Sequence, residues 1–336
     1  GNAAPIDPCA RLPPMTGQRD RANRRGPGMV EHAMSALNGW FGDYLSQTDN
    51  GLQQSMAFYR DNRPVAPEDY SPTQTGKFCV LVHGLGCNES LWNFPASHDG
   101  GGYGSLLQRR RGFQPLYLRF NTGLRVSENG KHLADLLERF CSCHDEAVTE
   151  LLLIGHSLGG LVIRSACHLG GAAGHDWISR VRHIVYLGSP HLGAPLENAA
   201  NVAAHVMGRI DTTATRVMRD LLNTRSTGVK DLRFGNLVDE DWFDCDPDEL
   251  MNNRRVPIPW LATARHHLAV GQALAGAGTV GDAMVRPESA AGRSHGAQPG
   301  APSGSDVQVM PGLDHLALAR HPAVYEHIER WLAEDG

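Results

Sequence analysis

The amino-acid sequence predicts an α/β fold: a mostly parallel central sheet with helices on both faces. Three observations predict it. Short, nearly continuous apolar runs recur along the chain, helical patterns with one apolar stripe separate them, and a Gly-x-Ser-x-Gly segment stands where one such run gives way to a helical pattern. Apolar runs without alternation are what strands need when both sides of the sheet are covered.

Taken in chain order, residues 1–27 are polar and rich in charge and are expected to be loosely held. Ala33, Leu37, Trp40, Phe41, Tyr44 and Leu45 repeat at helical spacing, predicting an N-terminal helix within 28–54. Its polar face carries Glu31 and Asp43 with little positive charge, which favours packing on the main domain over lying on a membrane surface. Ser55 to Tyr59, followed by Asp61-Asn62-Arg63, reads as a strand and turn leading into an antiparallel edge.

The main domain, 55–336, then brings the apolar runs Phe78 to Val82, Leu116 to Phe120, Leu151 to Ile154, Ile184 to Leu187, Trp260 to Ala264 and Val307 to Met310. Between them Leu133, Leu136, Leu137, Phe140 and Cys141 form one helical stripe, and Val324, Ile328, Trp331 and Leu332 form another near the end. Pro322 suits the first turn of that last helix, where a missing N–H has no consequence. The stretch 196–259 is too long for a simple crossover and reads as a helical cap over the sheet, with Val206, Val217 and Leu221 suggesting an apolar pocket. The stretch 271–305, rich in Gly, Ala, Pro and Ser, is expected to hold an ordered site loop and a mobile tip.

Composition narrows the partners. The 336 residues carry 31 basic and 36 acidic side chains, a net charge of -5 spread along the chain, so nucleic acid is not an expected partner. No run of about 18 apolar residues occurs, so no transmembrane segment is expected. Seven scattered cysteines are not the dense, even set of a disulfide scaffold and favour a reducing, cytoplasmic setting, with a leader removed before Gly1 left open. Cys141, Cys143 and His144 lack a second ligand pair and read as a helix end rather than a metal site.

The chemistry is concentrated in two segments. Gly155-His156-Ser157-Leu158-Gly159 directly follows a strand run and opens a helix, the context in which a tight turn holds a serine hydroxyl out from the sheet edge at a helix N-terminus. Phe78-Cys79-Val80-Leu81-Val82-His83-Gly84-Leu85-Gly86 is a strand ending in a flexible turn that can present a backbone N–H. Acyl transfer needs two such donors aimed at a carbonyl oxygen as it gains charge, and they are assigned to Leu85 and Leu158. For His83 the reading is support of that turn rather than proton transfer. Around the cleft, His83, Gly84, His156 and Asn121, with Arg119, are the candidates for touching substrate; loop-holding hydrogen bonds are the alternative for Asn121 and Arg119.

The segments VHGLG, GHSLGG, YLGSPHLGAPLE and GLDH together resemble an α/β-hydrolase of the lipase and esterase group, similar to bacterial hydrolases related to the deacylase of glycosylphosphatidylinositol anchors. The resemblance covers about Ser55 to the C-terminus. It implies the chain order serine, acid, histidine, with the histidine after the last strand. Ser157 is then the nucleophile and His315, in Gly312-Leu313-Asp314-His315, the base, with His321 as runner-up and His191, His266 and His267 less well placed.

The resemblance also implies that Asp282, in Val280-Gly281-Asp282-Ala283-Met284-Val285, is the acid, although Ala283 stands where a second glycine is common; Asp314 and Glu288 are its rivals. The expected activity is cleavage of a small ester or lipid with no metal or organic cofactor. An amidase, thioesterase or acyltransferase would use the same residues, and a non-catalytic lipid-binding protein would keep the fold.

Overall fold

The structure is a computed structural model, and it describes residues 28–48, 51–71, 75–95, 101–194, 226–243, 255–272, 282, 285–293 and 299–333. The predicted mobile N-terminal segment, most of the predicted cap with Val206, Val217 and Leu221, and most of the loop preceding Asp282 lie outside them.

Among the described residues the strands are β1 (Ala57–Arg60), β2 (Arg63–Val65), β3 (Lys77–Val82), β4 (Gln114–Arg119), β5 (Glu150–His156), β6 (Val181–Leu187), β7 (Arg265–Gln272) and β8 (Asp306–Pro311). They form one sheet in the order β2-β1-β4-β3-β5-β6-β7-β8. From β4 to β8 every pairing is parallel, while β1 runs antiparallel to both β4 and β2. The β1–β2 hairpin turns through Asp61 and Asn62, both at positive φ (50° and 61°), the backbone that matches the twist of a two-residue hairpin and that Asp and Asn tolerate.

Alternation along the strands feeds two cores. Phe78, Val80 and Val82 of β3, with Leu151 and Leu153 of β5, pack on one face against α3 (Val126–Cys143) and α4 (Leu158–Ala173). Cys79, Leu81, Leu152 and Ile154 pack on the other against α2 (Tyr103–Arg111) and the C-terminal helix. Both faces are therefore dry, which is why these strands read as continuous apolar runs. The antiparallel edge is locked on by edge-to-face rings: Phe140 of α3 lies 5.8 Å from Phe58 of β1, 5.9 Å from Tyr70 and 5.0 Å from Phe78.

The helix α1 (Met29–Thr48) packs on this core through Trp40 and Leu45. The helix α5 (Thr227–Phe234) starts at Ser226, whose hydroxyl accepts from the Val229 N–H at 3.4 Å. Its buried Asp231 reaches back to the start of α3, accepting from Val126 N–H at 2.9 Å and from Arg125 at 2.8 Å. Burial raises the Asp231 carboxyl, and the Arg125 guanidinium opposes that rise. A short helix α6 (Pro287–Ala290) and the closing helix α7 (Pro322–Trp331) complete the described elements; α7 begins at Pro322 and buries Val324, Tyr325, Ile328 and Trp331.

One predicted strand is misplaced. Trp260 to Ala264 is not a strand; β7 starts immediately after it, at Arg265. The polar start of Arg265-His266-His267 conceals a central strand, because both histidines are buried and each is held by a hydrogen bond within the fold. His266 Nε2 donates to Leu261 O at 2.9 Å, and His267 Nδ1 donates to Asp306 at 2.7 Å. Trp260 owes its apolar signal to a ring cluster with Tyr186, His191 and His266 instead. At the end of α3, His144 Nε2 donates to Pro67 O at 2.8 Å, Cys141 is buried and Cys143 exposed.

Candidate active site

Strand β5 ends at His156 and α4 begins at Leu158, so Ser157 alone makes the turn. Its φ of 53° and ψ of −123° are strained for a residue with a β-carbon, and only a tightly supported turn keeps it there. The support comes from close approach at the flanking glycines. A β-carbon on Gly159 would lie 2.2 Å from Val82 O, and one on Gly155 would lie 2.6 Å from the Gly160 backbone. The Ser157 N–H donates to Leu187 O at 2.9 Å, tying the turn to β6.

His315 follows β8 on the loop before α7 and is buried, as are Ser157 and Asp282 (2 %, 3 % and 1 % exposed). Its Nδ1 donates to Asp282 Oδ2 at 2.6 Å. Asp282 Oδ1 accepts the Val285 N–H at 2.7 Å, so the carboxylate is aimed by its own loop. In the tautomer that puts the proton on Nδ1, facing Asp282, the lone pair is on Nε2. That Nε2 is buried and makes no hydrogen bond among the described residues, including to the Ser157 hydroxyl. Catalytic hydrogen bonds commonly tighten only when substrate is bound.

Two contacts knit the elbow to the histidine. His156 Nε2 donates to the carbonyl oxygen of His315 at 2.8 Å, with ring centroids 4.7 Å apart. Gly188, at the end of β6, passes so near that a β-carbon there would lie 2.9 Å from Asp282 Oδ2 and 3.1 Å from His315 Nδ1. The turn after β3 closes the other side, where a β-carbon on Gly84 would lie 3.1 Å from the Ser157 β-carbon. Leu85 is buried in that turn, and Leu158 is the first residue of α4, whose N–H has no carbonyl partner within the helix.

The remaining candidates take other parts. His83 Nδ1 donates to Gly84 O at 3.0 Å and its ring stacks 4.6 Å from Phe120, so it braces the turn; burial pulls it down to about 4. His156 is neutral too, drawn down to about 3 first by burial and then by the neighbouring His315. Asn121 points at α1: its amide donates to Gly42 O at 2.9 Å and its oxygen accepts from Gly123 N–H at 3.0 Å. Arg119 pairs with Glu89, donates to Asn62 at 2.7 Å and lies 4.0 Å over the Tyr59 ring.

Of the rivals, His321 Nδ1 accepts from Ala323 N–H at 3.2 Å and caps α7, while Asp314 accepts from Ala317 N–H at 2.8 Å in a turn. Glu288 is exposed on α6. His191 is enclosed by Tyr186 and Trp260, and burial holds it well below its usual value. The role of His156 was legible only as part of the elbow motif, since its partner carbonyl belongs to a loop 159 residues away.

Sheet order, elbow and loop placement agree with one architecture. The chain has the α/β-hydrolase fold. A lipase from Bacillus licheniformis in its mature form superposes with a TM-score of 0.50 at 17% identity, covering 78% of this chain and 94% of that one. A carboxylesterase from Bacillus subtilis aligns at 15% identity over 78% of this chain and 85% of that one, with a TM-score of 0.43. A thermophilic esterase from Thermogutta terrifontis aligns at 17% identity over 83% and 93%, with a TM-score of 0.41. A family profile described as the PGAP1-like alpha/beta domain matches residues 117–246, the part that contains the elbow. No curated protein matches the sequence. Among the described residues, no helix is long and apolar enough to cross a membrane.

Proposed function

We propose that this chain is a carboxylic-ester hydrolase that works through an acyl-enzyme on Ser157. The observation that carries the reading is the 2.6 Å bond from His315 Nδ1 to Asp282, on a histidine whose backbone is itself bonded to the elbow residue His156. An alcohol is a weak nucleophile at neutral pH and needs a base. His315 Nε2 is the free lone pair for that task.

In the first step Ser157 Oγ attacks the ester carbonyl as Nε2 takes its proton, and the Asp282 carboxylate stabilises the resulting imidazolium. The carbonyl oxygen, gaining charge, is met by the N–H groups of Leu85 and Leu158, the second reinforced by the positive end of α4. The protonated ring then donates to the leaving alcohol. Water, deprotonated by the same nitrogen, attacks the acyl-enzyme; the bond from the acyl carbon to Ser157 Oγ breaks, Oγ takes the proton back from Nε2, and the acid is released. A small-molecule ester or a lipid is the substrate class that fits, with the predicted cap, 196–259, as the source of the acyl pocket.

The test is mass spectrometry after fluorophosphonate treatment, together with turnover of p-nitrophenyl esters across a chain-length series and of matched anilides and thioesters. Label on Ser157 and preferential ester turnover support the reading. Label with preferential anilide or thioester turnover moves the chain to the amidase or thioesterase reading. Neither label nor turnover leaves a non-catalytic lipid-binding protein.

A further inference from the structure

The turn Gly84-Leu85-Gly86 is enclosed between two surfaces, each met where a residue has no β-carbon. On one side is the elbow: a β-carbon on Gly84 would lie 2.9 Å from His156 Nδ1 and 3.1 Å from the Ser157 β-carbon. On the other is helix α1, where a β-carbon on Gly39 would lie 2.9 Å from both the N and the Cα of Gly86 and 3.2 Å from Thr122 Oγ1. Backbone therefore rests directly on backbone at Gly39 and Gly86, and the turn has no flexible side chain there to absorb a shift.

The grip continues past the turn. Asn88 Nδ2 donates to His32 Nδ1 of α1 at 3.1 Å and to Ser35 Oγ at 3.5 Å. The Gly86 N–H donates to Thr122 Oγ1 at 3.0 Å, in the loop that α1 also holds through Asn121 and Gly42. The helix is in turn anchored from behind. Ser226 Oγ donates to Gly39 O at 2.7 Å, the Thr227 N–H donates to Asp43 at 3.0 Å, and Trp40 enters the core.

We propose that α1, which lies outside the sheet and before its first strand, is a positioning element of the oxyanion turn, with the Gly39–Gly86 contact as the point that sets where the Leu85 N–H aims. The inference rests on the acyl-enzyme reading and on Leu85 as a donor. An oxyanion donor works only within a few tenths of an ångström of its proper distance, and a misplacement of about 1 Å can lower a rate about 100-fold. A helix that merely packs on the core would affect stability and leave the rate of each folded molecule alone.

The experiment compares Gly39→Ala with the wild-type chain, with Val30→Ala on the exposed side of α1 as control. Active sites are counted by fluorophosphonate titration, so kcat is expressed per intact Ser157. The expected result is a fall in kcat of about tenfold or more with KM within about twofold, the pattern of an interaction made only in the transition state. Faster amide exchange at residues 84–87 should accompany it.

Should Gly39→Ala fail to fold, the double variant His32→Ala/Ser35→Ala, which releases Asn88 without crowding the contact, is expected to lower kcat in the same way. Wild-type kcat per titrated site in these variants, or an equal loss in Val30→Ala, overturns the proposal. An unlabelled, inactive wild-type chain would instead defeat the acyl-enzyme reading, while the exchange comparison would still decide whether α1 holds the turn.

Discussion

His156 and His315, 159 residues apart in sequence, are joined by one hydrogen bond: Nε2–H of the first donates to the backbone carbonyl of the second at 2.8 Å. His315 is thereby held at two points, its ring by Asp282 and its backbone by the neighbour of Ser157. The low pKa of His156, about 3, keeps it neutral across ordinary working conditions, and its tautomer is set by this bond. Replacing it by Phe keeps an aromatic ring and removes the donor. His156→Phe is expected to lower kcat by about ten- to a hundredfold with little change in KM, and His156→Gln, which restores an N–H, to recover part of the loss. Equal damage in both variants would make the residue a packing group only.

Asp282→Asn tests the other hold on the same ring. With the Val285 N–H claiming the amide oxygen, the asparagine presents its NH2 rather than an acceptor to Nδ1, so the ring takes the tautomer that puts its proton on Nε2, facing the serine. A fall in kcat of about 10⁴-fold is expected, with a circular-dichroism spectrum and melting temperature close to wild type. Steady-state kinetics on a short-chain ester measure it, and a loss under tenfold would remove Asp282 from the proposed triad.

Asn121 separates a loop-holding role from a substrate-binding one. Its side chain already satisfies the Gly42 carbonyl and the Gly123 N–H in a buried setting. Asn121→Ala leaves the buried Gly123 N–H without its acceptor, which costs about 1–3 kcal/mol, while the Gly42 carbonyl keeps its helical partner within α1. Urea denaturation should show that loss while KM moves less than about twofold. The reverse pattern, a raised KM with unchanged stability, would place Asn121 against the substrate.

The buried histidines make the fold sensitive to acid. Burial draws His156 to about 3 and His83, His266 and His267 to about 4 from an ordinary 6.5, and holds His191 well below that value. Between pH 6.5 and 4 the unfolded chain binds protons at these positions and the folded chain does not, so the unfolded state gains as pH falls. Stability is therefore fully present above about pH 6.5 and is lost on acidification. Chemical denaturation from about pH 7.5 to 4.5 should give a midpoint that holds down to about pH 6.5 and falls below it. A midpoint that stays level or rises in acid would mean that these rings are protonated in the folded state.

Much of the fold could be read from local pattern. The strand runs at 78–82, 116–120, 151–154, 184–187 and 307–310, the stripes of α3 and α7 and the turn at Asp61-Asn62 each correspond to an element of the structure. In the inner strands β3 and β5, burial on both faces imposes a composition that survives in the sequence. The strand β7 escaped that logic. Its buried His267 is paired with Asp306 and His183, partners 39 and 84 residues away that no window of sequence contains.

The sequence by itself determined the turn chemistry: a serine flanked by glycines between a strand and a helix, where steric limits act within a few residues and leave a mark in the letters. Tertiary structure alone decided that His156 grips the His315 loop, that Asn121 faces α1, and that α1 rests on the turn carrying Leu85. Those are contacts between distant segments. Hydrogen-bond direction and van der Waals contact depend on where the packed core brings each backbone, and that follows from the whole chain folding at once rather than from any local spacing.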